Sequence, residues 1–218
     1  LAECIGRATG ENVVPQGSGR TDAGVHALGQ VASFTIENPM PAPNLKIALN
    51  DLLPAGIRVL EAVEVPVEFH ARHSARCKQY RYRILRSEIC PPHLARYVYH
   101  FPYPLNECEM QLAAKMVTGE HDFTSFAAVD PEKGKGPTSN VRTILDSSFE
   151  RIGEELVYTV EGNGFLHHMV RNLVGTFLLA GKGTIKPDDV VRILKRSDRS
   201  AAGATVPASG LWLMRVDY

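Results

Sequence analysis

Gly17-Ser18-Gly19-Arg20-Thr21-Asp22-Ala23-Gly24-Val25-His26 is the most informative stretch of the chain. Three glycines in so short a span permit backbone turns closed to other residues, and they let a bulky planar ligand approach the main chain. Arg20 and Asp22 are two residues apart, so in an extended loop their side chains point the same way. A carboxylate placed there can act as a base or a nucleophile. A nearby guanidinium would keep it ionised and oriented. The plainer reading is a turn in which Asp22 bonds its own backbone and Arg20 meets solvent or phosphate. For a lone Asp in a glycine-rich loop, the residues alone favour that plainer reading.

Outward from the loop, helical and strand patterns alternate. Upstream, Leu1, Cys4, Ile5 and Ala8 recur at helical spacing and Gly10 ends the run, with a short strand predicted at Val13 and Val14. Downstream, residues 30–36 read as a strand. Pro39, Pro41 and Pro43 mark a loop. Leu45, Ala48, Leu49, Leu52 and Leu53 form the apolar face of a helix that Pro54 and Gly56 stop, and residues 57–63 read as a strand. Residues 80–85 are a predicted strand. Asn106 caps a helix with Glu109 at its third position and Gly119 at its end. Residues 143–152 and 156–161 pair as antiparallel strands around Gly153. Leu166, Met169, Val170, Leu173, Val174 and Phe177 make the strongest helical stripe. Pro187, Asp188 and Asp189 open another helix, and residues 211–216 form a last strand. The hairpin at Gly153 argues against an all-parallel sheet. The pattern predicts an α+β fold of two related halves, residues 1–68 with the glycine-rich loop and residues 69–218. The polar loop 130–139, with Lys133 and Lys135, is the candidate mobile segment.

The 218 residues suffice for roughly one or two domains. Hydrophobic residues at 44% and charged residues at 22% are the composition of a soluble globular protein. Lys plus Arg and Asp plus Glu both number 24, so any polyanion must find positive charge gathered on one face. Cys4, Cys77, Cys90 and Cys108 form no C-x-x-C pair and no zinc-ligand spacing, which fits a reducing, cytoplasmic compartment. No apolar run is long enough to cross a membrane, and no signal peptide opens the chain. Helical spacing already at Leu1 leads us to expect that the natural start lies upstream.

The densest basic run is Arg72, His73, Arg76, Lys78, Arg81, Arg83 and Arg86, interleaved with Tyr80 and Tyr82. It suits phosphate contacts beside a stacking platform, or else a solvated strand face balanced by acids. Tyr80, Tyr82 and Ile84 share one face of a strand. Arg171 lies on a helix ridge with His167 and Gly175, away from the Leu173 and Phe177 stripe. His26, His70, His167 and His168 give no metal-ligand spacing. Gly181-Lys182-Gly183-Thr184 lacks the spacing of a phosphate loop.

Residues 19–26 with Gly29-Gln30 resemble the signature of the tRNA pseudouridine synthase A family. Further blocks follow in family order: Phe69-His70-Ala71-Arg72 with Ser74-Ala75 and Tyr80-Arg81-Tyr82; Asp122-Phe123-Thr124-Ser125-Phe126; Phe165 with His167-His168-Met169-Val170-Arg171-Asn172; and Gly210-Leu211 with Val216 and Tyr218. They span nearly the whole chain. Two departures stand out. The family's opening strand and the start of its first helix have no counterpart here, and His73 stands where aromatic residues are frequent.

The resemblance implies a pseudouridine synthase fold, with a mostly antiparallel mixed sheet and a central active-site cleft. It implies an isomerase that converts uridine to pseudouridine at positions 38, 39 and 40 of the tRNA anticodon stem-loop, working as a homodimer without metal, small-molecule cofactor or membrane. Asp22 is then the carboxylate that starts the reaction, Arg171 its positive partner and Tyr80 the base contact. Arg20 fills the space left by the flipped base or holds the displaced backbone, and Arg72 contacts substrate. The alternatives are a same-fold synthase with another RNA target, or an RNA-binding protein without isomerase activity. A glycosidase would want a second flanking carboxylate, and no matched block supplies one.

Overall fold

The computed structural model describes residues 1–129 and 139–218, so the predicted loop with Lys133 and Lys135 lies, apart from Ser139, outside the described residues. The chain forms two units. Leu1–Arg20 with Gln30–Ala75 make the first, and Thr21–Gly29 with Arg76–Tyr218 the second.

In the first unit, α1 (Ala2–Thr9) ends where Gly10 turns left-handed at φ 82° and donates its N–H to Gly6. The second helix, α2 (Ala42–Leu52), starts with proline in its first turn and stops at Leu53, which is extended, as the residue before Pro54 must be. Cys4 and Ile5 of α1 pack with Leu45, Leu49 and Leu53, and Val13, Phe34, Ile36 and Val59 close over them. Strand pairing is far shorter than predicted. β1 is Gln16–Gly17, two residues beyond the expected Val13 and Val14. It pairs antiparallel with β3, only Ala32–Ser33. Residues 57–63 form no strand. Apolar alternation reports half-burial, not a ladder partner. At Val59 the partner is a side chain: Asn50 Oδ1 accepts the Val59 N–H at 2.8 Å, and Asn50 Nδ2 donates to its carbonyl at 2.9 Å.

The second unit is built on a seven-stranded mixed sheet, mostly antiparallel, as expected. Its strands are β2 (His26–Ala27), β4 (Cys77–Leu85), β5 (Tyr99–His100), β6 (Gly119–Asp122), β7 (Val141–Ile152), β8 (Glu155–Gly162) and β9 (Leu211–Asp217). Their order is β2-β9-β4-β8-β7-β6, with β5 also on β4; β2 runs parallel to β9, and β5 parallel to β4. Tyr80, Tyr82 and Ile84 of β4 lie opposite Val160, Tyr158 and Leu156 of β8. This buried face shares one core with α3 (Glu107–Lys115), α4 (Met169–Gly181) and α5 (Asp189–Arg196). Asn106 caps α3 by accepting from the N–H groups of Cys108 and Glu109. The helix stops at Lys115, however, and Gly119 at φ 105° opens β6 instead of ending α3.

The predicted stripe from Leu166 becomes α4 only from Met169, because His168 before it is left-handed at φ 58°. Every residue of α4 except Arg171 and Leu179 is buried. The loop after α5 crosses this helix so closely that a Cβ on Gly175 would lie 1.9 Å from the Ala204 carbonyl oxygen. Among the described residues, no helix is long and apolar enough to cross a membrane.

Candidate active site

Asp22 opens a tight turn. Its carbonyl accepts the Val25 N–H at 3.0 Å, and Gly24, the third turn residue, sits at φ 86°, which favours glycine. His26 and Ala27 then join the sheet beside Trp212 and Leu213, anchoring the turn to β9. The plain turn reading thus holds for the Asp22 backbone. Its side chain leaves the turn.

The Asp22 carboxylate meets three nitrogen-bearing side chains. Arg171 Nη1 donates to Oδ2 at 2.7 Å; His168 Nε2 lies 3.1 Å from Oδ2, and His167 Nε2 lies 3.5 Å from Oδ1. The Arg171 side chain is 14% exposed and that of Asp22 25%. Arg171 Nε donates to the Val206 carbonyl at 2.8 Å, which aims the guanidinium. Behind it, buried Asn172 fixes the neighbouring loops. Its Nδ2 donates to the Phe126 carbonyl at 2.7 Å, and its Oδ1 accepts from Thr205 Oγ1 at 2.6 Å and Arg199 Nη2 at 2.9 Å. Thr176 Oγ1 accepts the Gly203 N–H at 2.8 Å. Asn172 and Thr176 are fully buried, and buried polar groups with their partners satisfied fix one geometry.

Burial lowers the His168 pKa against the pull of Asp22, and His167, Arg171 and Arg199 lower it further. This favours the neutral imidazole, which still has an N–H to give to Oδ2. The two imidazole rings lie 3.9 Å apart at 35°. Sequence reading missed both histidines as partners of Asp22. The ridge shared by His167 and Arg171 was the one available signal.

Tyr80 is 8% exposed and meets Phe165 edge-on, with centroids 5.0 Å apart. Burial, and then the charge of Asp22, push its phenol up to about 12, so it is a neutral donor. Tyr82 is core: it is fully buried and donates to the Pro207 carbonyl at 2.7 Å. The second unit thus brings together Asp22, Arg171 and Tyr80 of the predicted set. Arg20 and Arg72 are exposed residues of the first unit.

The basic run divides. Arg83 makes a two-pronged pair with Glu155, Nε at 2.7 Å and Nη2 at 2.6 Å. Arg86 donates to the carbonyls of Phe101 and Tyr103 and lies 3.7 Å from Glu107. For these two the balanced-face reading prevails. The apolar groove of about 380 Å³ lined by Glu107, Cys108, Gln111, Leu112, Phe149, Arg151 and Leu156 contains none of the Asp22 cluster.

A carboxylate held by a guanidinium beside a buried neutral phenol can act as a nucleophile or base toward a bound ligand. Residues 113–218 match the family described as tRNA pseudouridine synthase. The chain is 51% identical over 218 residues to tRNA pseudouridine synthase A of Solibacter usitatus, covering 100% of this chain and 88% of that protein. It is 44% identical to the protein of that name from Thermoanaerobacter pseudethanolicus with the same coverage. With that of Limosilactobacillus fermentum it shares 48% over 204 residues, 93% of this chain and 78% of the relative. The chain belongs to the tRNA pseudouridine synthase A family.

Proposed function

We infer that this chain isomerises uridine to pseudouridine in tRNA, with Asp22 as the carboxylate that starts the reaction. The observation that carries this reading is the Asp22–Arg171 ion pair at 2.7 Å in a chain of this family. The N1–C1′ glycosidic bond breaks, the uracil turns, and C5 bonds to C1′; C5 loses a proton and N1 gains one, so no atom is exchanged in sum. Asp22 either attacks C1′ or removes a proton from the ribose, and both routes need it ionised. Arg171 and the His168 N–H fix its orientation. Tyr80 presents a neutral phenol to the base.

The target must leave its stack, at a cost of a few kcal/mol. Arg20 fills the vacated space or holds the displaced backbone, and Arg72 meets phosphate. The substrate positions are 38, 39 and 40 of the anticodon stem-loop, and the working unit is a cytoplasmic homodimer; family resemblance supports these assignments.

Asp22→Asn tests the reading. The variant is expected to keep tRNA binding and lose isomerisation, measured as release of the C5 hydrogen from labelled uridine in tRNA. Unchanged turnover would remove Asp22 from the mechanism. Mapping the pseudouridines of tRNA from a deletion strain tests the three positions.

A further inference from the structure

His167 holds a feature the isomerisation does not use. Its Nδ1 lies 3.1 Å from the carbonyl oxygen of Val129. A carbonyl only accepts, so Nδ1 keeps its proton and Nε2 is the ring nitrogen left to ligate. That Nε2 faces Asp22 Oδ1 at 3.5 Å. Metal-ligating histidines characteristically donate their other ring N–H to a carbonyl or carboxylate in this way, which fixes the tautomer and aims the ligand atom.

His168 adds a second imidazole, its Nε2 3.1 Å from Asp22 Oδ2. One ligand atom from each of the three residues lies within 4.8 Å of the others. A tetrahedral ion with bonds of about 2.0 Å wants ligand atoms about 3.3 Å apart, close to the 3.5 Å between His167 Nε2 and Asp22 Oδ1. His168 would carry its proton on Nδ1 to bind, a change of tautomer without change of charge. A carboxylate has two oxygens and about four lone-pair sites, so an ion on Oδ1 leaves Oδ2 for Arg171.

We propose that Asp22, His167 and His168 form a site for a zinc-class divalent cation, and that the bound ion takes the Asp22 carboxylate out of the reaction. The inhibitory half rests on the reading of Asp22 given above. The site is a brake, not a cofactor site. Two imidazole nitrogens with one carboxylate oxygen select Zn²⁺ and its neighbours over Mg²⁺, the usual counterion of folded RNA. Arg171, on the same carboxylate, keeps affinity moderate.

Co²⁺ reads the site directly. Added to chain stripped with chelator, it is expected to give the visible absorption of a tetrahedral ion, saturating at one per chain, displaced by Zn²⁺ and not by excess Mg²⁺. The band is expected to be lost in His167→Gln and in His168→Asn, the latter chosen because Asn tolerates the left-handed backbone at that position. Circular dichroism checks that both fold. Arg171→Met is expected to bind the ion more tightly. Cys77, Glu161 and Asp217 also place ligand atoms together, but Arg215 already bonds both of those carboxylates, and the histidine variants leave that cluster untouched. No band, or a band unchanged in both histidine variants, overturns the site. Zn²⁺ is further expected to abolish C5-hydrogen release and chelator to restore it. Stoichiometric binding, lost in the variants, with turnover unaffected would keep the site and overturn both the brake and the reactive role of Asp22.

Discussion

Arg171 is held at two points: its Nη1 bonds Asp22 Oδ2 at 2.7 Å while its Nε bonds the Val206 carbonyl at 2.8 Å. The guanidinium is thus a strut between the Asp22 turn and the loop that crosses α4. A point charge on a flexible stem cannot make both contacts at once.

Arg171→Met is therefore expected to remove most turnover and about 2 kcal/mol of stability, less than for a fully buried pair because Asp22 is 25% exposed. Arg171→Lys should recover more stability than activity. Urea unfolding and C5-hydrogen release on the same preparations separate the two effects.

Asn172 is the buried hub behind that strut. Asn172→Leu keeps the volume but strips partners from the Phe126 carbonyl, Thr205 and Arg199. We expect a loss of about 3 kcal/mol, with kcat falling and the KM for tRNA unchanged. Denaturant midpoints and steady-state kinetics check this.

Gly175 makes the same point through sterics. In Gly175→Ala the new Cβ would meet the Ala204 carbonyl oxygen at 1.9 Å. The loop must lift from α4 and carry Val206 away from Arg171. A loss of at least about 2 kcal/mol is expected, with reduced turnover in the fraction that stays folded.

The phenol of Tyr80, pushed up to about 12 by burial and by Asp22, predicts an alkaline weakness. Below pH 10 both folded and unfolded chains hold the proton, and its contribution is fully present. Above pH 10 the unfolded chain ionises first, so stability is lost as pH rises toward 12. Tyr80 accounts for about 3 kcal/mol of that loss, and buried Tyr82 and Tyr158 shift in the same direction. Tyrosinate absorbance should show these three ionising only as the chain unfolds, and Tyr80→Phe should make the alkaline loss shallower.

Because Glu155 already holds Arg83, Arg83→Gln is expected to leave the salt dependence of tRNA binding unchanged. A slope reduced by about one would instead make it a phosphate contact.

Helix positions and β4, β7, β8 and β9 were legible because apolar period and caps are local: Gly10, Asn106 and the hairpin at Gly153 mark their own ends. The short β5 and β6 were not predicted, and Gly119, read as a helix end, opens β6. Residues 13–14 and 57–63 misled for a physical reason. Alternation specifies a buried side, and Val59 found its backbone partner in a side chain of α2. The start of α4 was placed early because nothing in the residue pattern marks His168 as left-handed.

Asp22, Tyr80 and Arg171 were named from the chain alone, through the family resemblance and the residue types that carboxylate chemistry requires. Only the tertiary structure decided that His167 and His168 join Asp22, and that the Val206 carbonyl aims Arg171. The Asp22–Arg171 bond alone spans 149 residues of chain. Residue types and spacing encode which groups can react; the distance and direction between them exist only once the turn, the helix and the crossing loop have packed.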